Sequence, residues 1–174
     1  MQTLILGGVR SGKSRLAEKL AQQSACPVTY IATANGKDAE MAARIAHHRS
    51  TRPANWKTVE APIALASTLE QHATTDCLLL VDCLTLWLTN LLLATDVDPD
   101  TLVRERTALL EVLPKLPGEL ILVSNETGMG IVPLGELTRR YCDEAGWLHQ
   151  AIAAQADRVI LTVAGLPLYL KGHP

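Results

Sequence analysis

A chain of 174 residues with 48% hydrophobic residues has enough apolar material for one buried core and is short for two, so residues 1–174 are expected to form a single domain. Its formal net charge is -2, which gives no electrostatic drive toward a polyanion such as DNA or RNA, so any phosphate binding must be local. Cys26, Cys77, Cys83 and Cys142 lack CxxC or Cys/His metal spacing, no cleavable leader precedes the first apolar run, and no apolar stretch approaches the roughly 20 residues of a bilayer span; reduced thiols, a cytoplasmic location and no membrane span are expected.

The first apolar run, residues 3–6, leads directly into Gly7-Gly8-Val9-Arg10-Ser11-Gly12-Lys13-Ser14. That octet matches GxxxxGK[ST], a P-loop, and Leu16, Ala17, Leu20 and Ala21 continue it with helical spacing. Strand, loop and helix are the context the motif needs. Glycines let successive backbone N–H groups curl around phosphates, and the helix N-terminus adds its positive dipole. Lys13 is placed to reach the outer phosphates and Ser14 to ligate Mg²⁺. A chance match in a chain of this length is expected in under about 1% of cases. Nucleotide binding through residues 7–14 is therefore the expectation.

A second run, residues 28–32, ends beside Thr33 and Ala34, and the next segment, residues 40–49, reads as a helix. Its Met41, Ile45 and His48 fall on one stripe, whereas His47 shares a face with Arg44, so His47 is expected to point outward. An exposed imidazole with an ordinary pKa near 6.5 is largely neutral at pH 7 and able to attack phosphorus, with Arg44 and Arg49 near enough to offset charge. From spacing alone, a histidine pair on a solvated helix is the better account.

Residues 77–81 form a third run, closed by Asp82, where an acid at a strand end can serve the Mg²⁺ shell. Capping of the following helix is the competing role, which Thr85 could fill instead. Cys83-Leu84-Thr85 comes next where a Ras-like GTPase would carry DxxG, and no NKxD occurs; an ATPase or small-molecule kinase remains open. The apolar stretch 84–93 suits either a core or a subunit interface. Asp98-Pro99-Asp100 starts a further helix and Leu116-Pro117-Gly118 ends it. Two more runs lie at 120–123 and 158–163, while residues 169–174 read as an edge strand or a tail. Short continuous runs, rather than alternating ones, predict strands covered on both faces. The fold class is thus α/β, a single-domain P-loop NTPase fold with a mostly parallel central sheet and helices on both faces, of RecA-like type.

The phosphate loop, Tyr30-Ile31-Ala32-Thr33, the helix from Glu40 to His48, Arg52-Pro53-Ala54-Asn55-Trp56, and the segment from Ser124 to Pro133 occur in order over nearly the whole chain. Together they resemble the bifunctional adenosylcobinamide kinase and adenosylcobinamide-phosphate guanylyltransferase family of cobalamin biosynthesis. The resemblance implies phosphorylation of the aminopropanol hydroxyl of adenosylcobinamide by ATP or GTP, then transfer of GMP from GTP to that phosphate. It also implies a covalent histidine intermediate at His47 with Lys13 as the other catalytic group, and a homotrimer. Nucleotide contacts carry over to residues 7–14, to Ala32, Thr33 and Ala34, to His48, Arg49, Ser50 and Thr51, and to Glu60 and Asp82, with Ser14 and Asp82 serving Mg²⁺. Glu60 suits guanine because a carboxylate accepts both the N1–H and the 2-amino group, although a solvated strand-edge charge would look the same. Asn125-Glu126-Thr127-Gly128-Met129-Gly130 belongs at the carboxyl edge of the sheet; it faces the cobinamide, orders the metal site, or is only a turn, and the sequence assigns it no catalytic role. A P-loop kinase without a covalent step and a nucleotide-dependent binding module are the two rivals.

Overall fold

The computed structural model describes residues 1–34, 53–94 and 98–174. Its elements run β1 (Gln2–Gly7), α1 (Lys13–Gln23), β2 (Val28–Ala32), β3 (Lys57–Glu60), α2 (Leu65–His72), β4 (Leu78–Asp82), α3 (Leu84–Ala94), α4 (Thr101–Val112), a 3-10 turn (Leu113–Lys115), β5 (Glu119–Asn125), α5 (Glu136–Gln155), β6 (Arg158–Val163) and β7 (Leu166–Lys171). The strands form one sheet in the order β3-β2-β4-β5-β1-β6-β7. Every pairing is parallel except the last, β6 with β7.

The continuous apolar runs have a direct cause. Alternate residues of β1 point to opposite faces, so Leu4 and Leu6 pack with α2, α3, α4 and α5, while Ile5 packs with Ala17 and Ala21 of α1. β4 divides likewise, with Leu79 and Val81 on the first face and Leu78 and Leu80 on the second. A strand buried on both sides has no solvent face on which to place polar residues. Full burial of one such leucine stabilises by roughly 1.5–3 kcal/mol.

The stretch 84–93 resolves as core. Leu84, Trp87, Leu88, Leu91 and Leu92 of α3 are buried within this one chain, and the Trp87 indole donates to Ile63 O at 2.7 Å. Of that stretch, Leu93 is the large apolar residue left exposed. α4 begins three residues after Asp98, whose carboxylate accepts from the Thr101 hydroxyl at 2.8 Å and from Arg104 at 2.9 Å.

Two edge strands bound the sheet. β3 was not legible as a strand because three of its four residues are exposed and only Val59 is apolar. β7 runs farther upstream than residues 169–174 and turns back on β6 through Ala164 (φ 51°) and Gly165 (φ 81°), the positive-φ pair of a tight hairpin. Alternation exposes Leu166, Leu168 and Leu170, while Tyr169 packs on the core. Pro167 is tolerated on such an edge strand.

Candidate active site

The phosphate loop leaves β1 at the carboxyl edge of the sheet, and the structure explains Gly7 and Gly12. A Cβ on Gly7 would stand 2.4 Å from Ser11 Oγ and 2.6 Å from Thr162 O, so no side chain fits there. Gly12 holds φ 96°, and a Cβ on it would meet the Cα of Gly165 at 3.1 Å. The β6–β7 turn thus packs against the loop, and Gly165 N–H donates to Ser11 O at 2.8 Å. Gly8, Val9 and Arg10 face solvent, with Arg10 also at positive φ (56°). Lys13 and Ser14 open α1, and Lys13 Nζ donates to Gly8 O at 3.2 Å across the mouth of the loop.

Asp82 closes β4 and accepts from the Tyr30 hydroxyl at 3.1 Å. Burial pulls Lys13 below its usual pKa, opposed by the fields of Cys83 and Asp82. Burial, reinforced by Asp82, pushes the Cys83 thiol up to about 11, so it is neutral at pH 7. The anion that faces Lys13 at that pH is therefore Asp82. Lys13 and Asp82 are thus near enough for the field of one to act on the other.

The segment after β2 is fastened rather than free. Ala32 O accepts from Ala61 N–H at 2.8 Å. Thr33 is fully buried; its hydroxyl donates to Cys83 O at 2.6 Å and accepts from Cys83 N–H at 2.9 Å, and its carbonyl accepts from the Asn90 amide at 2.8 Å. Thr33 thus ties the end of β2 to the residue after Asp82. Glu60 is exposed at the end of β3, four strand steps from β1, or roughly 19 Å at about 4.8 Å per step. A nucleotide reaching both must lie along the carboxyl edge. His47, His48, Arg49, Ser50 and Thr51 lie outside the described residues.

β5 lies between β4 and β1, so its end faces the space between Asp82 and the phosphate loop. Glu126 N–H donates to Gly7 O at 3.0 Å, and the Glu126 carboxylate accepts from Gly128 N–H at 2.6 Å. Behind it, Ser124 Oγ is 2.7 Å from Nε2 of buried His149 on α5, and His149 Nδ1 is 3.9 Å from Glu126 Oε2. Burial lowers the His149 pKa against the pull of Glu126, which keeps the ring neutral at pH 7. Thr85 Oγ1 accepts from Asn125 N–H at 2.7 Å and lies 3.5 Å from Ser124 Oγ. Among the described residues, the buried side-chain atoms with no hydrogen-bond partner are Ser11 Oγ, Asn125 Oδ1, Tyr141 Oη and Thr162 Oγ1. Asn125 and Thr162 are both register partners of Gly7, and Ser11 is in the loop itself, so unmet polar capacity gathers around the phosphate loop.

Residues 3–170 match the family model described as cobinamide kinase / cobinamide phosphate guanyltransferase. The chain belongs to this family. Among its curated relatives, the bifunctional adenosylcobalamin biosynthesis protein CobP of Pseudomonas aeruginosa is 66% identical over 174 residues, covering 100% of this chain and 99% of that protein. The bifunctional adenosylcobalamin biosynthesis protein CobU of Escherichia coli is 41% identical over 182 residues, covering 98% and 100%. Among solved structures, the assembled ATPase EscN of the enteropathogenic E. coli type III secretion system shares the fold at TM-score 0.62 and 14% identity, over 92% of this chain and 41% of that one.

For this cobinamide kinase / guanyltransferase family member, the donors present suit Mg²⁺. Ser14 and Asp82 offer hard oxygen ligands, and Asp82 keeps Oδ1 clear of the Tyr30 bond to Oδ2. Among the described residues no group of three or more His, Cys, Asp or Glu gathers into a cage. Mg²⁺ in phosphoryl-transfer sites is held mainly by substrate phosphates with one or two carboxylates, and when bound it neutralises charge on the outer phosphates. The polar cluster of Ser124, Thr85 and His149 behind the end of β5 was not legible in the sequence, because strand and helix interiors look like core until topology brings their polar atoms to one strand end.

Proposed function

We propose that this protein phosphorylates adenosylcobinamide with ATP or GTP and then transfers GMP from GTP to the resulting phosphate, giving adenosyl-GDP-cobinamide and pyrophosphate. The observation that carries this reading is the family match along residues 3–170 laid over a phosphate cradle in which Lys13 and Asp82 face one another. In the kinase step the substrate hydroxyl attacks the γ-phosphorus, with Lys13 and the loop amides offsetting charge on the phosphate oxygens. In the second step His47 attacks the α-phosphorus of GTP, pyrophosphate leaves, and cobinamide phosphate displaces the histidine. GTP labelled at the α-phosphate tests the covalent route: acid-labile label on the protein is expected, and its absence from an active enzyme would remove the histidine step.

Ser14 and Asp82 are the residues proposed to hold Mg²⁺, and Ala32, Ala34 and Glu60 to line the nucleoside, with Thr33 acting through the backbone it fastens. Asp82→Asn is isosteric and keeps an acceptor for Tyr30 but loses the charge. Mg²⁺-dependent turnover of both half-reactions should fall by about 10²-fold or more, comparable with removing one charged transition-state contact. Unchanged rates across a Mg²⁺ titration would strike Asp82 from the metal site.

A cytoplasmic location is proposed from the four free cysteines; no helix among the described residues is long and apolar enough to cross a membrane. A homo-oligomer, with the trimer taken from the resemblance, is supported by Met129, Ile131, Val132, Leu134 and Leu137, which are exposed together just before and at the start of α5, with Ile131 and Leu134 each 98% exposed. Light scattering of the purified chain measures this, and a monomer at micromolar concentration would contradict it.

A further inference from the structure

Resting on the kinase half of the proposed function, we propose that Glu126 is the base that accepts the proton of the substrate hydroxyl, and that Ser124 and His149 hold its carboxylate in place. The placement comes from topology. β5 is the strand between the phosphate-loop strand and the Asp82 strand, so the chain just beyond its last residue lies at the carboxyl edge between the phosphate loop and Asp82. Glu126 is the first residue past that end and is fixed to the loop through its N–H bond to Gly7 O at 3.0 Å. Its side chain is 20% exposed, enough for a hydroxyl to reach and too little for bulk water to surround it.

The hydrogen-bond directions behind Glu126 are mutually consistent. Asn125 N–H can only donate, so Thr85 Oγ1 accepts it and keeps a proton within 3.5 Å of Ser124 Oγ. In the proposed arrangement Ser124 donates to His149 Nε2 at 2.7 Å. A neutral ring that accepts at Nε2 carries its proton on Nδ1, the nitrogen facing Glu126 Oε2 at 3.9 Å. A small closure would make that contact a hydrogen bond. Ser124 is 1% exposed, which removes it as a nucleophile although serine, histidine and glutamate stand in a row. The orphaned Asn125 Oδ1 beside this row is the independent sign that a polar ligand belongs here.

The step balances. The hydroxyl oxygen bonds to the γ-phosphorus as the bond from that phosphorus to the β,γ-bridging oxygen breaks. The hydroxyl proton passes to the Glu126 carboxylate, and the nucleoside diphosphate leaves. Guanylyl transfer has no such demand, because cobinamide phosphate attacks with an oxygen that is already ionised.

The two half-reactions are therefore measured separately on full-length protein: adenosylcobinamide with ATP, and adenosylcobinamide phosphate with GTP. Glu126→Gln keeps an oxygen for Gly128 N–H and should lower kinase kcat by about 10²–10⁴-fold. GTP affinity by equilibrium titration should stay within about 2-fold, and guanylyl transfer should fall far less than the kinase step. For His149 as a positioning residue, His149→Leu should lower kinase kcat with the adenosylcobinamide KM within about 2-fold, and His149→Gln should recover part of it. Equal loss of both half-reactions in Glu126→Gln, or wild-type kinase rates, would overturn the proposal. Wild-type protein that phosphorylates no adenosylcobinamide would instead sink the functional reading itself.

Discussion

Replacing His47 by alanine is expected to abolish labelling of the protein by α-labelled GTP and to lower GMP transfer by at least roughly 10⁴-fold, the scale on which covalent enzymes lose rate without their nucleophile. The kinase step should survive in part, because a positioned hydroxyl attacks the γ-phosphorus directly and needs no histidine carrier. The split is the informative result. Water or cobinamide phosphate attacking GTP in the same site gains orientation but forgoes the two-step route, so residual transfer reports what the cradle achieves alone. Loss of both half-reactions from a folded His47→Ala protein would mean that this side chain organises the site rather than only carrying GMP. Assays of phosphorylated and guanylylated cobinamide on the same preparation, with circular dichroism as the folding control, decide between these.

Lys13→Ala should impair both half-reactions together, by about 10²–10³-fold each, since one cation serves the outer phosphates whichever phosphorus is attacked. Lys13 is held across the loop mouth by Gly8 O at 3.2 Å and is partly desolvated, so its charge is poorly screened. Arginine should rescue little, because a planar guanidinium fork does not reproduce the compact, three-donor ammonium that Lys13 brings to the loop. Kinetics of both reactions at saturating nucleotide measure this; a defect confined to one of them would show that the two substrates do not share the cradle.

Much of this architecture is local and so is readable from the chain alone. The phosphate loop needs only glycines where a Cβ cannot fit, a strand before and a helix after, and all of that is written within residues 3–21. The buried strands announced themselves because faces covered on both sides exclude polar residues. Where a strand is exposed, as β3 is, its residues carry no such mark, and the hairpin to β7 was readable only as an undecided tail. The stretch 84–93 shows the opposite ambiguity: apolarity said that it is buried, and only packing said against what.

Sequence by itself determined the phosphate-loop motif between strand and helix, the acid at the end of β4, the fold class and the family, because each depends on short-range spacing or on an ordered set of motifs along the chain. Tertiary structure alone decided that Thr33 braces Cys83 and that Glu126 stands beside Gly7 with Ser124 and His149 behind it. The reason is chain separation. Ser124 and His149 are 25 residues apart and Thr85 and Asn125 are 40 apart, and no periodicity within one element records which distant element will be laid against it. Crossover connections of a parallel sheet make those choices, and only the assembled sheet reveals them.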